Sequence, residues 1–501
     1  HIRAMCVPVS GTIREAMRAI DRAGLGAAFL VAADGRFAGL VTDGDLRRAL
    51  LRGQGLDTPV LGVARPDSVT ARISDPPESI AGLFHEKVRL IPLLDERGRV
   101  VDAAAFDQRI ALPVASPSVG ERELQYVTEC VVSGWISSAG PFVTKFEGIF
   151  ARFCGVKHAI AVSNGTAALH LGLLALGIGS GDEVLVPSLT FIATANAVAY
   201  TGATPVFVDC DPVTWTIDPQ AAEAAITHRT RAIIPVHLYG HPADMGALTG
   251  IARRHKVALV EDAAEAHGAL CGGKPVGSIG DIGIFSFYGN KIVTTGEGGM
   301  VVTNSDAMAE KMRLLRDHGM SAERRYWHTV LGYNYRLTSL QAALGLAQME
   351  RISDVIDAKL KIADLYRQGL EGVPGMTLPA CASWARNVYW LYSIVIDAER
   401  FGYSRDALMD LLKERGIDTR PFFPPLHKQP IYANSQHLPV SERLGDTGLS
   451  LPSSANLRPE HVARVCEEIV RIHQEAVKPN GTVLAAPQAE ELRKQSALAM
   501  G

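Results

Sequence analysis

The chain predicts an α/β fold, a mainly parallel seven-stranded sheet wrapped by helices, and three observations carry that reading. Between residues 118 and 305, short apolar runs of strand length alternate with segments of helical period. Clusters of Gly, Pro, Asp and Asn punctuate the alternation as turns. Polar side chains suited to chemistry follow the ends of the apolar runs, where open α/β sheets bind ligands.

Taken in order, strands are expected over 158–162, 183–187, 204–208, 232–236, 257–260, 282–287 and 300–303. Helices are expected over 167–176, 192–200, 219–225 and 245–255. A long helical stretch, 340–370, leads into a smaller α+β portion with a strand at 389–396 and a helix at 405–415. Residues after 477 mix Pro, Gly, Ala and Gln, the composition of a flexible tail.

Residues 7–110 read as a separate small α/β unit. A helix over 12–23, a strand over 27–32, a turn at Asp34-Gly35, a strand over 39–42 and a helix from Asp45 form one copy. A weaker copy has a helix over 77–84, a strand over 89–94, a turn at Arg97-Gly98 and then Val100-Val101. A Pro-rich joint, Leu112-Pro113-Val114-Ala115-Ser116-Pro117, follows. The expected domains are therefore 1–112, 113–370 and 371–477, with the tail at 478–501.

Bulk properties exclude several function classes. Among 501 residues, 50 basic side chains nearly cancel 53 acidic ones, which argues against nucleic acid or an anionic membrane as partner. Seven cysteines lie scattered at 6, 130, 154, 210, 271, 381 and 466, with no CxxC. Neither a disulfide framework nor a zinc knuckle is expected, and a reducing cytoplasm fits. No apolar stretch reaches the ~18 residues of a spanning helix. The start at His1 lacks signal-peptide architecture and reads as a trimmed one.

The densest chemical signal surrounds Lys291. It follows Phe285-Ser286-Phe287-Tyr288-Gly289-Asn290 and precedes a Gly-rich turn, Thr294-Thr295-Gly296-Glu297-Gly298-Gly299. A neutral amine there would bond an aldehyde cofactor and later shuttle a proton. Asp262 ends a buried-looking strand, where a carboxylate can keep a pyridine nitrogen protonated. Glu265 lies three residues on, within reach of the cofactor's phenolic oxygen, while Glu261 reads as structural or solvated. Asn164-Gly165-Thr166-Ala167 opens a helix after a strand, so its N–H groups and the Thr166 hydroxyl suit a phosphate. Plain N-capping accounts equally for Asn and Thr. Ser286 is a second phosphate donor, and Phe191 an aromatic ring for the pyridine face. The cofactor implied is pyridoxal 5′-phosphate (PLP).

Other signals carry less. Gly177-Ile178-Gly179-Ser180-Gly181 follows a helix and precedes a strand, the reverse of a dinucleotide fingerprint, and reads as a turn. Histidines 237, 241, 255, 267, 318 and 328 lack metal-ligand spacing, so no metal is expected. Of these, His237 and His267 are expected to face the cleft.

From about 118 to 475 the chain resembles the DegT/DnrJ/EryC1/StrS sugar aminotransferases. The matching pieces are Ser133 through Pro141, Asn164 through Leu169, Pro235-Val236-His237-Leu238-Tyr239-Gly240, Glu261 through Ala264, Thr294 through Gly299 and Gly332 through Thr338. The resemblance implies a type I PLP-dependent aminotransferase fold. By it Lys291 is the Schiff-base lysine, Asp262 the pyridine partner, and Thr166 with Ser286 the phosphate ligands. It also implies a homodimer with shared active sites, in which Asn334 or Arg336 reaches the partner's phosphate; pairing of dimers into tetramers stays open. Members that dehydrate carry His at the lysine position, so Lys291 argues against that branch.

Glu265, the 331–346 run and Arg420 through His427 are similar to the branch that aminates C4 of GDP-4-keto-6-deoxy-mannose with L-glutamate as donor. A UDP- or dTDP-linked keto-sugar is the alternative substrate. An inactive nucleotide-sensing protein is the alternative from another class. The first hundred residues resemble a pair of cystathionine-β-synthase-type (CBS) modules, with Thr42 and Asp45 matching their Thr-x-x-Asp nucleotide motif. That resemblance implies an adenine-nucleotide site, with a docking module as the equal alternative. The second copy places Ala105 and Gln108 at the aligned positions.

Overall fold

The computed structural model describes residues 2–23, 25–65, 67–76, 79–80, 82–84, 88–105 and 112–477. The chain divides into two compact units, 1–109 and 110–501. The predicted tail at 478–501 lies outside the described residues, as do Gln108 and residues 77, 78 and 81 of the predicted helix 77–84.

The larger unit is built on β1 (His158–Val162), β2 (Glu183–Pro187), β3 (Thr204–Val208), β4 (Thr230–Ile233), β5 (Ala258–Asp262), β6 (Ile282–Ser286) and β7 (Gly299–Thr303). Their order is β1-β7-β6-β5-β4-β2-β3. Four pairings are parallel, while β7 runs antiparallel to both β6 and β1. A loop, not a crossover helix, joins β6 to β7, so the chain must return antiparallel. Along each strand alternate residues feed two cores. Ile160, Val162, Val184, Val186, Ile282 and Ile284 pack on one face, and Ala159, Ala161, Leu185, Phe285, Met300 and Val302 on the other. The predicted strand at 232–236 begins earlier, at Thr230, and ends before Pro235, which has no N–H for a ladder.

The predicted long helix is two helices, Ser339–Glu350 and Ile352–Leu370. Arg351 breaks it, with φ −122°, because its guanidinium turns to Glu123 (2.8 Å) and to Ser118. Glu123 is buried, so leaving it without a cation would cost more than one helical junction. The Pro-rich joint is not a free spacer either. Leu112 and Val114 are buried; Leu112 N–H donates to Gly416 C=O (3.1 Å) and Ser453 N–H to Val114 C=O (2.7 Å). A four-stranded antiparallel sheet, with Tyr392–Ile396 and Gly448–Leu451 at its centre, completes this unit. The predicted strand at 389–396 starts only at Tyr392 because Tyr389 takes φ +47°.

The smaller unit holds two three-stranded sheets with the same local topology. In each, the first strand pairs parallel to a hairpin: Cys6–Pro8 to Ala27–Val31 and Phe37–Thr42, and Ala71–Arg72 to Leu90–Leu94 and Val100–Ala105. The hairpin tips meet at an Arg36–Arg99 bridge. Among the described residues no helix is long and apolar enough to cross a membrane.

Candidate active site

Asp262 ends β5 with its carboxylate buried. Thr194 Oγ1 donates to its Oδ2 (2.9 Å) and Ala264 N–H to its Oδ1 (3.2 Å). Burial raises this carboxyl above its ordinary value, against the pull of Thr194, Ala264 and the nearby Lys291 charge. Glu265, also buried, accepts from Tyr239 N–H at Oε2 (2.8 Å) and places Oε1 3.5 Å from Lys291 Nζ. Its carboxyl is likewise raised by burial.

Lys291 sits in the β6–β7 loop, which is pinned as a hairpin by Phe287 N–H to Gly298 C=O (2.8 Å) and Thr295 N–H to Phe287 C=O (2.9 Å). The side chain is 11% exposed, with Nζ 3.5 Å from the centroid of the Trp390 ring. Burial lowers the amine below the ordinary lysine value, while Glu265 and Asp262 oppose the shift. The amine is thus held between burial, which favours its neutral form, and two buried carboxylates, which favour its charged form.

The candidate phosphate cradle follows from register. Gly299 of β7 pairs with Val162 of β1 on one side and Ser286 of β6 on the other, so the turn after β1 lands against Ser286. Asn164 caps the helix Gly165–Ala175 through Ala167 N–H (2.8 Å), and the first N–H groups, at Gly165 and Thr166, have no intrahelical acceptor. A Cβ at Gly165 would lie 2.9 Å from Ser286 Cβ, and one at Gly299 2.4 Å from Asn164 O. Only glycine permits that approach.

Phe191 lies 55% exposed in the turn between β2 and the helix Ala193–Tyr200, its ring 5.8 Å from that of Phe423. Thr194, three residues later, ties this turn to Asp262. Asn334 and Arg336 bond one another (3.0 Å), and Arg336 pairs with Asp317 (3.1 Å) of the same chain. Arg336 also bridges Val162, which puts the strip beside the cradle.

Two histidines require correction. His237 and His267 are fully buried rather than facing a cleft. His237 accepts from Ala243 N–H at Nδ1 (3.0 Å), so Nε2 carries the proton toward Glu261 (3.1 Å). Glu261 is structural and fully buried, accepting from Gly277, Ile279 and Gly280 N–H as well. His267 is wedged among Phe150, Phe285 and Phe287; burial, then the Lys291 charge, push it down to about 3. Thr194 and Trp390 were missed, since nothing local marks either.

In the smaller unit, Thr42 and Asp45 form a reciprocal capping box on the helix Asp43–Leu51. Asp45 also receives Arg48 and Arg65, each at 2.6 Å. Burial works against its ionisation, but Thr42, Arg65 and Arg48 outweigh it and hold the carboxyl at about 2.

Such a site at the strand ends of a mainly parallel sheet defines the class as a PLP enzyme of fold type I. The chain is a member of the DegT/DnrJ/EryC1/StrS aminotransferase family, which it matches over residues 117–470. Residues 2–52 match the CBS domain. The chain is 50% identical to the GDP-perosamine synthase of Caulobacter vibrioides, over 71% of this chain and 96% of that protein. It is 46% identical to the GDP-perosamine synthase of Escherichia coli O157:H7, over 72% and 97%. The crystal structure of S. venezuelae DesV in complex with a ketimine intermediate superposes with a TM-score of 0.67 at 40% identity, over 70% of this chain and 94% of DesV.

The residues present fit PLP, the family's cofactor. A glycine-lined helix start suits its phosphate, a buried strand-end carboxylate its ring nitrogen, and a buried lysine amine its aldehyde. When bound, PLP supplies an electron-accepting ring to the amino group in transit. Asp262 would hold a proton at the ring nitrogen. Lys291 Nζ would take a proton from the donor's α-carbon and return one to the acceptor carbon. Gly165, Thr166 and Ser286 would anchor the phosphate, the Ala167 N–H being taken by Asn164 Oδ1, and Phe191 would cover the ring.

Proposed function

We propose that the protein transfers the amino group of L-glutamate to C4 of a nucleotide-linked 4-keto-6-deoxy sugar, with GDP-4-keto-6-deoxy-mannose as substrate and GDP-perosamine as product. The observation that carries it is Lys291 placed against Glu265 beside Asp262, in a chain 43–50% identical to three GDP-perosamine synthases. Surface polysaccharide assembly is the matching use of such a product, and the cytoplasm, where cysteines stay reduced, the matching compartment. Residues 113–370 and 371–477 are assigned to the large and small parts of the aminotransferase.

The active form is proposed as a homodimer with shared sites. In support, Tyr326, Trp327, Val330 and Leu331 are exposed on the segment leading to Asn334 and Arg336. The N-terminal unit, 1–109, is assigned an adenine nucleotide at Thr42 and Asp45, which must displace an arginine from Asp45 on binding. Calorimetric titration with AMP, ADP and ATP tests it; no heat with any of them leaves a docking role.

Incubation with PLP, L-glutamate and GDP-4-keto-6-deoxy-mannose, followed by mass spectrometry, tests the reaction, with Lys291→Ala as control. Lysine-dependent conversion of ketone to amine is the expected result. Formation of 2-oxoglutarate without an aminated GDP-sugar would discard this substrate. Failure of both halves would discard catalysis.

A further inference from the structure

Trp390 is held from several directions. Its Nε1–H donates to the carbonyl of Asn290 (2.8 Å), the residue before Lys291. Its ring lies under the Lys291 amine, and Tyr239 lies nearly parallel to it, with centroids 6.4 Å apart at 21°. The backbone that delivers the indole is strained. Tyr389 takes φ +47°, with its N–H fixed by Asn387 Oδ1 (2.8 Å), and Tyr239 takes φ +51°. Between them Gly240, at φ +106°, approaches so closely that a Cβ would lie 2.7 Å from Tyr389 N and 2.8 Å from Trp390 N. Strain of this kind persists where surrounding contacts over-determine it, commonly at functional sites.

The same turn also sets Glu265. Tyr239 contributes its N–H to that carboxylate and its ring to Trp390. One strained turn thus positions both surfaces that touch Lys291 Nζ, a carboxylate oxygen at 3.5 Å and an aromatic face at 3.5 Å. An aromatic face favours an ammonium over a neutral amine, so it counteracts the burial that lowers this lysine. Other titratable groups acting on the amine are Asp262 and the buried His267.

We propose that Trp390 is a positioning residue: its indole face, with the Glu265 carboxylate, is the resting place of the Lys291 amine whenever that amine is free of the cofactor. The inference rests on the aminotransferase reading of Lys291. An amine released to donor or acceptor must stay near the reacting carbon, with its protonation controlled and bulk water excluded. The indole meets all three needs. It also anchors the loop that carries the lysine, so amine and backbone are held by one side chain.

The test uses the full chain freed of PLP, with the Lys291 amine titrated by competitive labelling and peptide mass spectrometry. Trp390→Phe and Trp390→Leu both lose the bond to Asn290, so the difference between them isolates the aromatic face. The expected order of amine pKa is wild type, then Phe, then Leu, with the Leu variant lower than wild type by about half a unit to one and a half units. On reloading with PLP and substrates, kcat should fall in the same order while KM for the donor holds. Equal pKa values in all three proteins would overturn the proposal and leave Trp390 a packing residue. If the Leu variant fails to fold, Trp390→Met takes its place in the comparison with Phe. If wild type aminates no sugar, the proposed reaction fails, yet the lysine titration still rules on Trp390.

Discussion

Thr194 Oγ1 donates to Asp262 Oδ2 at 2.9 Å, both residues being almost wholly buried. This bond pulls the carboxyl down against the burial that raises it. Thr194→Val keeps the shape and deletes the bond, so Asp262 should ionise only at higher pH. The acid limb of the kcat/KM profile should move up by about one unit, and PLP should bind about ten-fold more weakly. Absorbance titration with PLP and a pH–rate series check both.

Gly165→Ala tests the cradle. The added methyl meets Ser286 Cβ at 2.9 Å, backed by a buried sheet that yields little. Stability should fall by about 1–3 kcal/mol through overpacking, and PLP affinity should fall further than stability accounts for. Denaturant unfolding of the PLP-free protein separates the two effects.

Arg336 pairs with Asp317 in its own chain, so its reach into a partner's site needs a direct test. Lys291→Ala and Arg336→Ala should each be inactive. Mixed and re-paired at random, they should recover about a quarter of wild-type turnover if sites are shared across a two-fold dimer. No recovery would confine Arg336 to its own chain. Leu331→Asp, at a residue 85% exposed, should halve the mass measured by light scattering.

Lys359 is buried, donates to Ser453 C=O, and is lowered by burial to about 7. Its folded value lies below its unfolded one, so the unfolded chain binds more protons between the two. Stability should therefore rise with pH from about 7 toward 10, by a few kcal/mol at most, and Lys359→Met should flatten that rise. Urea unfolding at pH 6, 8 and 9.5 checks the sign.

Much of this was legible before the structure. β1, β2 and β3 fall on the expected residues because five-residue apolar runs bounded by turn residues admit little else. Asp262 and Gly165 are candidates because they stand at a strand end and a helix start, and Lys291 because it lies in the Gly-rich loop between β6 and β7. The failures are equally specific. The helix over 340–370 has unbroken periodicity, yet Arg351 leaves the helical path for a glutamate that no local pattern connects to it. His237 and His267 resembled cleft residues because their neighbours carry chemistry, but both side chains turn into the core.

The sequence by itself determined the alternation of strand and helix, the two-copy N-terminal unit and the candidates Lys291, Asp262 and Gly165 at their loop, strand end and helix start. These follow from periodicity, turn chemistry and residue type, which act between near neighbours. Only the tertiary structure decided that Thr194 holds Asp262, that Trp390 lies beneath Lys291, and that Gly299 draws Gly165 against Ser286. The Thr194–Asp262 and Trp390–Asn290 bonds join residues 68 and 100 positions apart. Such pairings carry no local signature, because they exist only once sheet register and core packing bring distant segments together.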